Sequence, residues 1–107
     1  MQIYNTLTKR KESFLPAGSP VRMFVCGPTV YDYIHIGNAR TFVIFDVVAK
    51  WLRHQGYDLT YIQNITDIED KIIARAAEHG KDVFAYSREL ENEFYQDTKA
   101  LGITSPE

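Results

Sequence analysis

Two segments of the chain alternate apolar and polar residues with the period of a β-strand: residues 21–26 and residues 57–64. Between them, residues 39–55 are apolar at most positions, which is typical of a helix covered on several sides. Gly56 is well placed to end this helix. A strand, a helix and a strand in this order predict a parallel pair joined by a right-handed crossover.

Two further helices are predicted after the second strand. Residues 66–69 fit the capping box S/T-x-x-E, with Thr66 and Glu69 as its ends, and predict a helix over residues 67–78. Asp82 is placed to cap a last helix over residues 83–100. Its predicted buried face carries four apolar residues: Phe84, Leu90, Phe94 and Leu101.

The first nineteen residues carry a weaker pattern. Tyr4 and Leu7 indicate an edge strand, and the charged residues 9–12 indicate a solvated turn. The pattern as a whole predicts an α/β fold, a parallel βαβ unit followed by helices, and 107 residues are enough for one domain.

Composition narrows the functional classes. With 45% hydrophobic and 24% charged residues the chain is an ordinary globular sequence, and a net charge of −2 provides no overall footprint for RNA. No apolar run is long enough to cross a membrane and no signal peptide precedes the first strand, so we expect a cytoplasmic setting without a membrane partner. One cysteine, Cys26, excludes an internal disulfide and leaves a packed, reactive or ligating thiol.

The residues suited to chemistry fall where the first strand ends and the first helix begins. Cys26 follows the strand, Gly27-Pro28 stops it, and His35 to Asn38 opens the helix. Ligands of open α/β sheets bind outside the carboxyl ends of the strands, and a helix N-terminus favours phosphate. We therefore expect the Cys26 thiol and the His35 imidazole to open onto one cleft, with Asn64 emerging beside Cys26.

Residues 26–40, C-G-P-T-V-Y-D-Y-I-H-I-G-N-A-R, resemble the start of class I aminoacyl-tRNA synthetases, whose signature is His-Ile-Gly-His. Their flanks are similar to those of cysteinyl-tRNA synthetases, as are I-Y-N-T-L-T at residues 3–8 and N-I-T-D-I-E-D-K-I-I-A-R-A at residues 64–76. The resemblance implies a Rossmann-like, HUP-type fold. It also implies that residues 1–107 are the N-terminal portion of a class I catalytic domain, incomplete at the C-terminal end.

The resemblance further implies that the full-length protein activates cysteine with ATP and Mg²⁺ to cysteinyl-adenylate and transfers it to tRNA(Cys). His35 and Asn38 are then the catalytic residues that stabilise the α-phosphate, although Asn38 stands where the signature has histidine. The ATP-binding region is residues 28–38, including Thr29 and Gly37. No nucleophile or general base is needed, because catalysis of phosphoryl displacement consists of positioning and charge stabilisation.

For the amino acid, the resemblance implies that Cys26 ligates a Zn²⁺ ion that binds the thiolate of the substrate cysteine. Gly27 and Thr66 would contact that cysteine, although Thr66 is equally suited to cap a helix. One zinc per full-length subunit is implied, with its other ligands outside this chain. Contacts with tRNA(Cys) are expected mostly outside it too, and a monomer is favoured.

Two alternatives remain open at this stage. One is a related ligase that joins cysteine to a pseudodisaccharide in mycothiol synthesis. The other is a non-enzymatic remnant that binds a nucleotide or a partner protein through the apolar helix. No K-M-S-K-S-like loop, which closes over ATP in class I synthetases, is present in the sequence, so we predict that the isolated chain is inactive. We also predict that it is only marginally folded, because the helix over residues 39–55 has apolar surface with nothing to cover it.

Overall fold

The computed structural model describes residues 1–107 and contains four strands and three helices. In chain order these are β1 (Gln2–Asn5), β2 (Arg10–Ser13), β3 (Val21–Val25), α1 (Ile36–His54), β4 (Leu59–Gln63), α2 (Asp70–Glu78) and α3 (Val83–Ala100). β1 and β2 form an antiparallel hairpin, and β3 and β4 form a separate parallel pair. None of the helices is long and apolar enough to span a membrane.

The β3–β4 pair confirms the predicted βαβ unit. The two strands run in parallel register from Val21 opposite Leu59 to Val25 opposite Gln63. Alternation places Val25, Leu59 and Tyr61 on the face that α1 covers, where they are buried. The carboxyl ends of both strands therefore lie at one edge, directly beside the start of α1.

Helix α1 begins earlier than predicted, at Ile36, with His35 as its N-cap. Gly56 follows it with a φ of 84°, the left-handed conformation that favours glycine after a helix. The side chains on one face of α1 are buried. Within this chain nothing covers its outer apolar face, which carries the exposed or half-exposed residues Val43, Ile44, Val47 and Trp51.

The capping box predicted at Thr66 does not form. Helix α2 begins at Asp70, and its N-cap Glu69 makes no side-chain cap. Thr66 instead pairs in parallel with Thr29: its N–H donates to the Pro28 carbonyl at 3.0 Å, and its carbonyl accepts from the Val30 N–H at 3.1 Å. The carbonyl that an N-cap residue offers to the first turn of its helix is therefore used by Val30 instead.

In helix α3 the predicted N-cap is confirmed, but only part of the predicted buried face is buried. The Asp82 carboxylate accepts hydrogen bonds from the N–H groups of Phe84 and Ala85, both at 3.1 Å. The buried side chains are Tyr86, Ser87, Leu90, Phe94 and Thr98. Phe84 is exposed because it lies two positions before Tyr86, about 200° around the helix.

The C-terminal segment folds back onto the βαβ unit and is held there by Asp46. This residue, an aspartate within the largely apolar α1, is 4% exposed. Its Oδ1 accepts from the N–H groups of Thr104 and Ser105 at 3.0 and 2.9 Å, and its Oδ2 lies 2.6 Å from Lys50 Nζ. Burial raises the pKa of Asp46, but these bonds outweigh burial and lower its pKa from 3.8 to about 2.

The N-terminal hairpin also differs from the sequence prediction. Lys9 lies in the turn with a φ of 55°, but residues 10–13 form β2 and not a solvated turn. Phe14, just after β2, packs edge-on against Tyr57 with ring centroids 5.6 Å apart. This contact joins the hairpin to the segment that enters β4.

Candidate functional site

A cleft of about 220 Å³ lies where β3 ends and α1 begins. Eight residues line it: Gly27, Pro28, Thr29, Tyr31, Asp32, Tyr33, Ile34 and Asn38. Of the residues singled out from the sequence, the fold thus brings Gly27, Thr29 and Asn38 to one cavity. Its position outside the carboxyl ends of parallel strands is where α/β folds bind ligands.

Gly27 fixes one wall of the cleft. Its N–H donates to Asn64 Oδ1 at 2.9 Å, so Asn64 emerges beside the end of β3 as the βαβ topology predicts. A Cβ atom on Gly27 would lie 1.7 Å from the Asn64 carbonyl oxygen, which no side chain tolerates. Only glycine allows the two strand ends to approach this closely.

At the start of α1, His35 and Asn38 hold each other in place. His35 Nδ1 accepts from the Gly37 N–H at 3.0 Å, and Asn38 Oδ1 accepts from the His35 N–H at 3.3 Å. Since a neutral imidazole carries one N–H, accepting at Nδ1 places the proton on Nε2. The His35 Nε2–H and the Asn38 amide NH₂ are therefore left as donors at the positive end of the helix dipole.

Three of the backbone donors of this first turn, those of residues 37–39, are already engaged. The N–H groups of Asn38 and Ala39 donate to the His35 carbonyl at 2.9 and 3.0 Å, and that of Gly37 donates to the His35 ring. An anion at this helix start would therefore be met by the two side-chain donors, by the Ile36 N–H and by the dipole.

Cys26 and His35 flank the cleft without lining it. Each is next to a lining residue in the chain, Cys26 before Gly27 and His35 after Ile34. Both side chains are exposed. The Cys26 thiol donates to the Gly27 carbonyl at 3.8 Å. Because the thiol is exposed, it is accessible to a ligand.

The thiol of Cys26 is suited to a soft metal ion, but the residues of this chain do not complete a site. No group of three or more histidine, cysteine, aspartate or glutamate side chains converges in residues 1–107. A tetrahedral zinc site needs further ligands, so Cys26 can supply one of them and no more.

Thr66, predicted as a cysteine contact, lies at the same sheet edge through its pairing with Thr29. It is half-buried, and its backbone N–H and carbonyl are both used in that pairing. The parallel bridge extends the β3–β4 pairing beyond Gly27 and ties the cleft residue Thr29 to the segment after β4.

The loop that lines the cleft makes contacts that the sequence pattern did not reveal. Tyr86 on α3 donates its hydroxyl to the Tyr31 carbonyl at 3.0 Å, and Arg75 on α2 lies 3.7 Å from Asp32. Both helix residues are far from the loop along the chain, and helical spacing alone marks Tyr86 only as a core residue. No local signal in the sequence could have identified this contact.

A parallel βαβ unit with a cleft between its strand ends and a capped helix start is the architecture of Rossmann-like α/β domains. The family model described as "tRNA synthetases class I (C) catalytic domain" matches residues 15–107, and the chain therefore belongs to that family.

Curated relatives named Cysteine–tRNA ligase are about half identical to the chain. The relative from Pseudomonas aeruginosa is 53% identical over 108 positions, covering 100% of this chain and 24% of its own length. The relative from Neisseria gonorrhoeae is 54% identical, and the match covers 98% of this chain and 22% of the relative. The relative from Heliobacterium modesticaldum is 52% identical, and the match covers 96% of this chain and 22% of the relative. The chain thus spans about a quarter of the length of these relatives.

Among solved structures, the chain is similar to Mycobacterium tuberculosis methionyl-tRNA synthetase in complex with methionyl-adenylate. The TM-score is 0.72 at 22% identity, covering 78% of this chain and 17% of that one. At this identity the likeness establishes the shared α/β fold.

Proposed function

We propose that residues 1–107 form the N-terminal portion of the catalytic domain of a longer cysteine–tRNA ligase. That protein activates cysteine with ATP and then transfers it to tRNA(Cys). The observation that carries the proposal is the capping of α1 by the side chains of His35 and Asn38, which leaves two N–H donors at a helix start beside a cleft. The family match and the names of the relatives support the same activity.

In the activation step, a carboxylate oxygen of cysteine forms a bond to the α-phosphorus of ATP. The bond from that phosphorus to the bridging oxygen breaks, and pyrophosphate leaves with its Mg²⁺. No proton is transferred, so the protein needs only to hold the two reactants in line and stabilise the charge on the phosphoryl oxygens.

His35 and Asn38 are suited to that task. The His35 Nε2–H and the Asn38 NH₂ would donate to the α-phosphate, and neither side chain needs to reorganise because each is already fixed by its cap. Gly37 assists by its small size: a Cβ there would lie 3.2 Å from His35 Nδ1 and would crowd the cap. Thr29, in the cleft wall, would complete the nucleotide contacts.

Gly27, Thr66 and Cys26 would serve the amino acid. Gly27 and Thr66 lie at the strand ends where the cysteine backbone would rest. Cys26 would supply one ligand of a zinc ion, the others coming from the remainder of the longer protein. When bound, the metal would recognise the sulfur of the substrate and so distinguish cysteine from serine.

Binding of tRNA(Cys) would fall mostly to other parts of the longer protein. A net charge of −2 over these 107 residues gives them no strong attraction for a polyanion. We propose a cytoplasmic setting, because charging of tRNA serves protein synthesis in that compartment. That the longer protein is a monomer stays a prediction.

Cysteine-dependent ATP–pyrophosphate exchange by the longer protein tests the proposal. We expect turnover that His35→Ala lowers by a factor of about 100 or more, the loss typical of removing one preorganised donor to a reacting phosphate or oxyanion. Absence of exchange in the parent protein would refute the activity. Transfer of cysteine to a pseudodisaccharide amine in place of tRNA(Cys) would favour the mycothiol-pathway alternative.

A further inference from the structure

The loop that lines the cleft, residues 28–34, is held from outside the βαβ unit by the helical hairpin of α2 and α3. Val30 is 1% exposed and packs into a cluster with Ile72 and Ala76 of α2 and Leu90 of α3. A loop whose central side chain is buried in another element can change conformation only if that side chain leaves its cluster.

Besides the backbone bonds to Thr66, one side-chain hydrogen bond from α3 fixes the backbone of the same loop. The Tyr86 hydroxyl donates to the Tyr31 carbonyl at 3.0 Å, and the Tyr86 side chain is nearly buried, with 7% exposed. Its ring stacks on His79 with the centroids 5.4 Å apart and the planes 20° from parallel. Because the ring is held on its own helix hairpin, the hydroxyl sets where the Tyr31 carbonyl lies.

Charged residues of α2 reinforce the contact at the loop surface. Lys71 Nζ lies 5.3 Å from the centroid of the Tyr31 ring, and Arg75 lies 3.7 Å from the Asp32 carboxylate. Asp32 lines the cleft, where an unpaired carboxylate would repel a phosphate. The hairpin thus supplies both a backbone anchor and a cation that offsets the acidic residue of the cleft.

We propose that Tyr86 is a positioning residue for the nucleotide cleft: its hydroxyl, through the Tyr31 carbonyl, holds residues 28–34 in the conformation that binds ATP. Tyr86 does not line the cleft and acts only through the loop. The proposal rests on the proposed function, because the cleft is assigned to ATP there.

Tyr86→Phe in the longer protein tests the idea, since it removes the hydroxyl and keeps the buried ring. Tyr95→Phe is the matched control: Tyr95 is on the same helix, and its hydroxyl bonds only to the neighbouring Glu91 at the surface. We expect Tyr86→Phe to raise the KM for ATP in pyrophosphate exchange about fivefold, as for loss of one hydrogen bond, with the KM for cysteine unchanged. Tyr95→Phe should leave both unchanged.

Hydrogen exchange provides a readout that does not depend on activity. The Val30 N–H, bonded to the Thr66 carbonyl, should exchange about fivefold faster in Tyr86→Phe, while the amides within α3 keep their protection. Unchanged exchange at Val30, or faster exchange with an unchanged KM for ATP, would overturn the proposal. Equal loss of protection along α3 would reduce Tyr86 to a structural role.

The proposed ligase activity and the proposed role of Tyr86 can be refuted independently of each other. A parent protein without cysteine-dependent exchange would refute the proposed ligase activity. In that case the Val30 exchange rate and the equilibrium dissociation constant for ATP, each compared with Tyr95→Phe, would still decide whether Tyr86 orders the cleft.

Discussion

Asn38 Oδ1 accepts a hydrogen bond from the His35 N–H at the start of α1, while His35 Nδ1 accepts one from the Gly37 N–H. In each side chain one atom therefore stabilises the helix while another is left to meet a ligand. The capping role of Asn38 and its proposed ligand-binding role can consequently be separated by changing only its outward atom.

Asn38→Asp should separate the two roles of Asn38. The carboxylate can still accept from the His35 N–H, and a negative charge at a helix start is favourable by about 0.3–1 kcal/mol. It donates nothing to a phosphate and repels it. We therefore expect unfolding stability to be kept or slightly raised, while pyrophosphate exchange by the longer protein falls by a factor of about 100 or more.

Asn38→His, which restores the usual residue of the signature, is the control because it keeps an outward donor. It should retain exchange within about tenfold of the parent. Full activity of Asn38→Asp would contradict a role for this side chain at the phosphate.

Gly27→Ala should destabilise the fold. The added Cβ would lie 1.7 Å from the Asn64 carbonyl, so the ends of β3 and β4 must move apart. We expect the free energy of unfolding to fall by about 1–3 kcal/mol, as for overpacking, measured by urea titration. Gly18→Ala is the matched control, since nothing lies within 4 Å of a Cβ there. Equal stability of the two variants would show that the strand ends are not held together as described.

Asp46 should make stability depend on pH at the acidic end. Because folding lowers its pKa from 3.8 to about 2, its contribution is fully present above about pH 5. That contribution is lost as the pH falls toward 2, and it amounts to about 2 kcal/mol. The difference in unfolding free energy between the parent and Asp46→Asn should shrink by about that amount from pH 5 to pH 2. A difference independent of pH would contradict the lowered pKa.

The outer face of α1 bears on the isolated chain. Val47 is 59% exposed and Trp51 is 47% exposed, so this face has no covering element within residues 1–107. We expect the isolated chain to show no pyrophosphate exchange and a shallow thermal transition. Val47→Lys should change its unfolding free energy by less than about 0.5 kcal/mol. Phe42→Ala, at a 2%-exposed position on the opposite face, should cost about 3–5 kcal/mol.

Local periodicity was enough to predict the framework. The alternation in residues 21–26 and 57–64 correctly assigned β3 and β4 and their parallel pairing, and Asp82 correctly marked the start of α3. These features depend on residues that are only two to four positions apart along the chain. A short segment of sequence is therefore enough to predict them. The placement of Gly27, Thr29 and Asn38 at one edge follows from the same topology.

Only the tertiary structure decided which of several local options each polar residue takes. Thr66 fits a helix cap equally well, but pairing with Thr29 makes it extend the sheet edge instead. Asp46 lies in a largely apolar helix, and the returning C-terminal segment buries it. Tyr86 reaches the cleft loop only because α3 packs over it. The sequence determined the elements because their periods are local. The fold decided the polar contacts because each one depends on a partner that is distant in the chain. The interaction energy of such a pair cannot be inferred from a short segment of sequence.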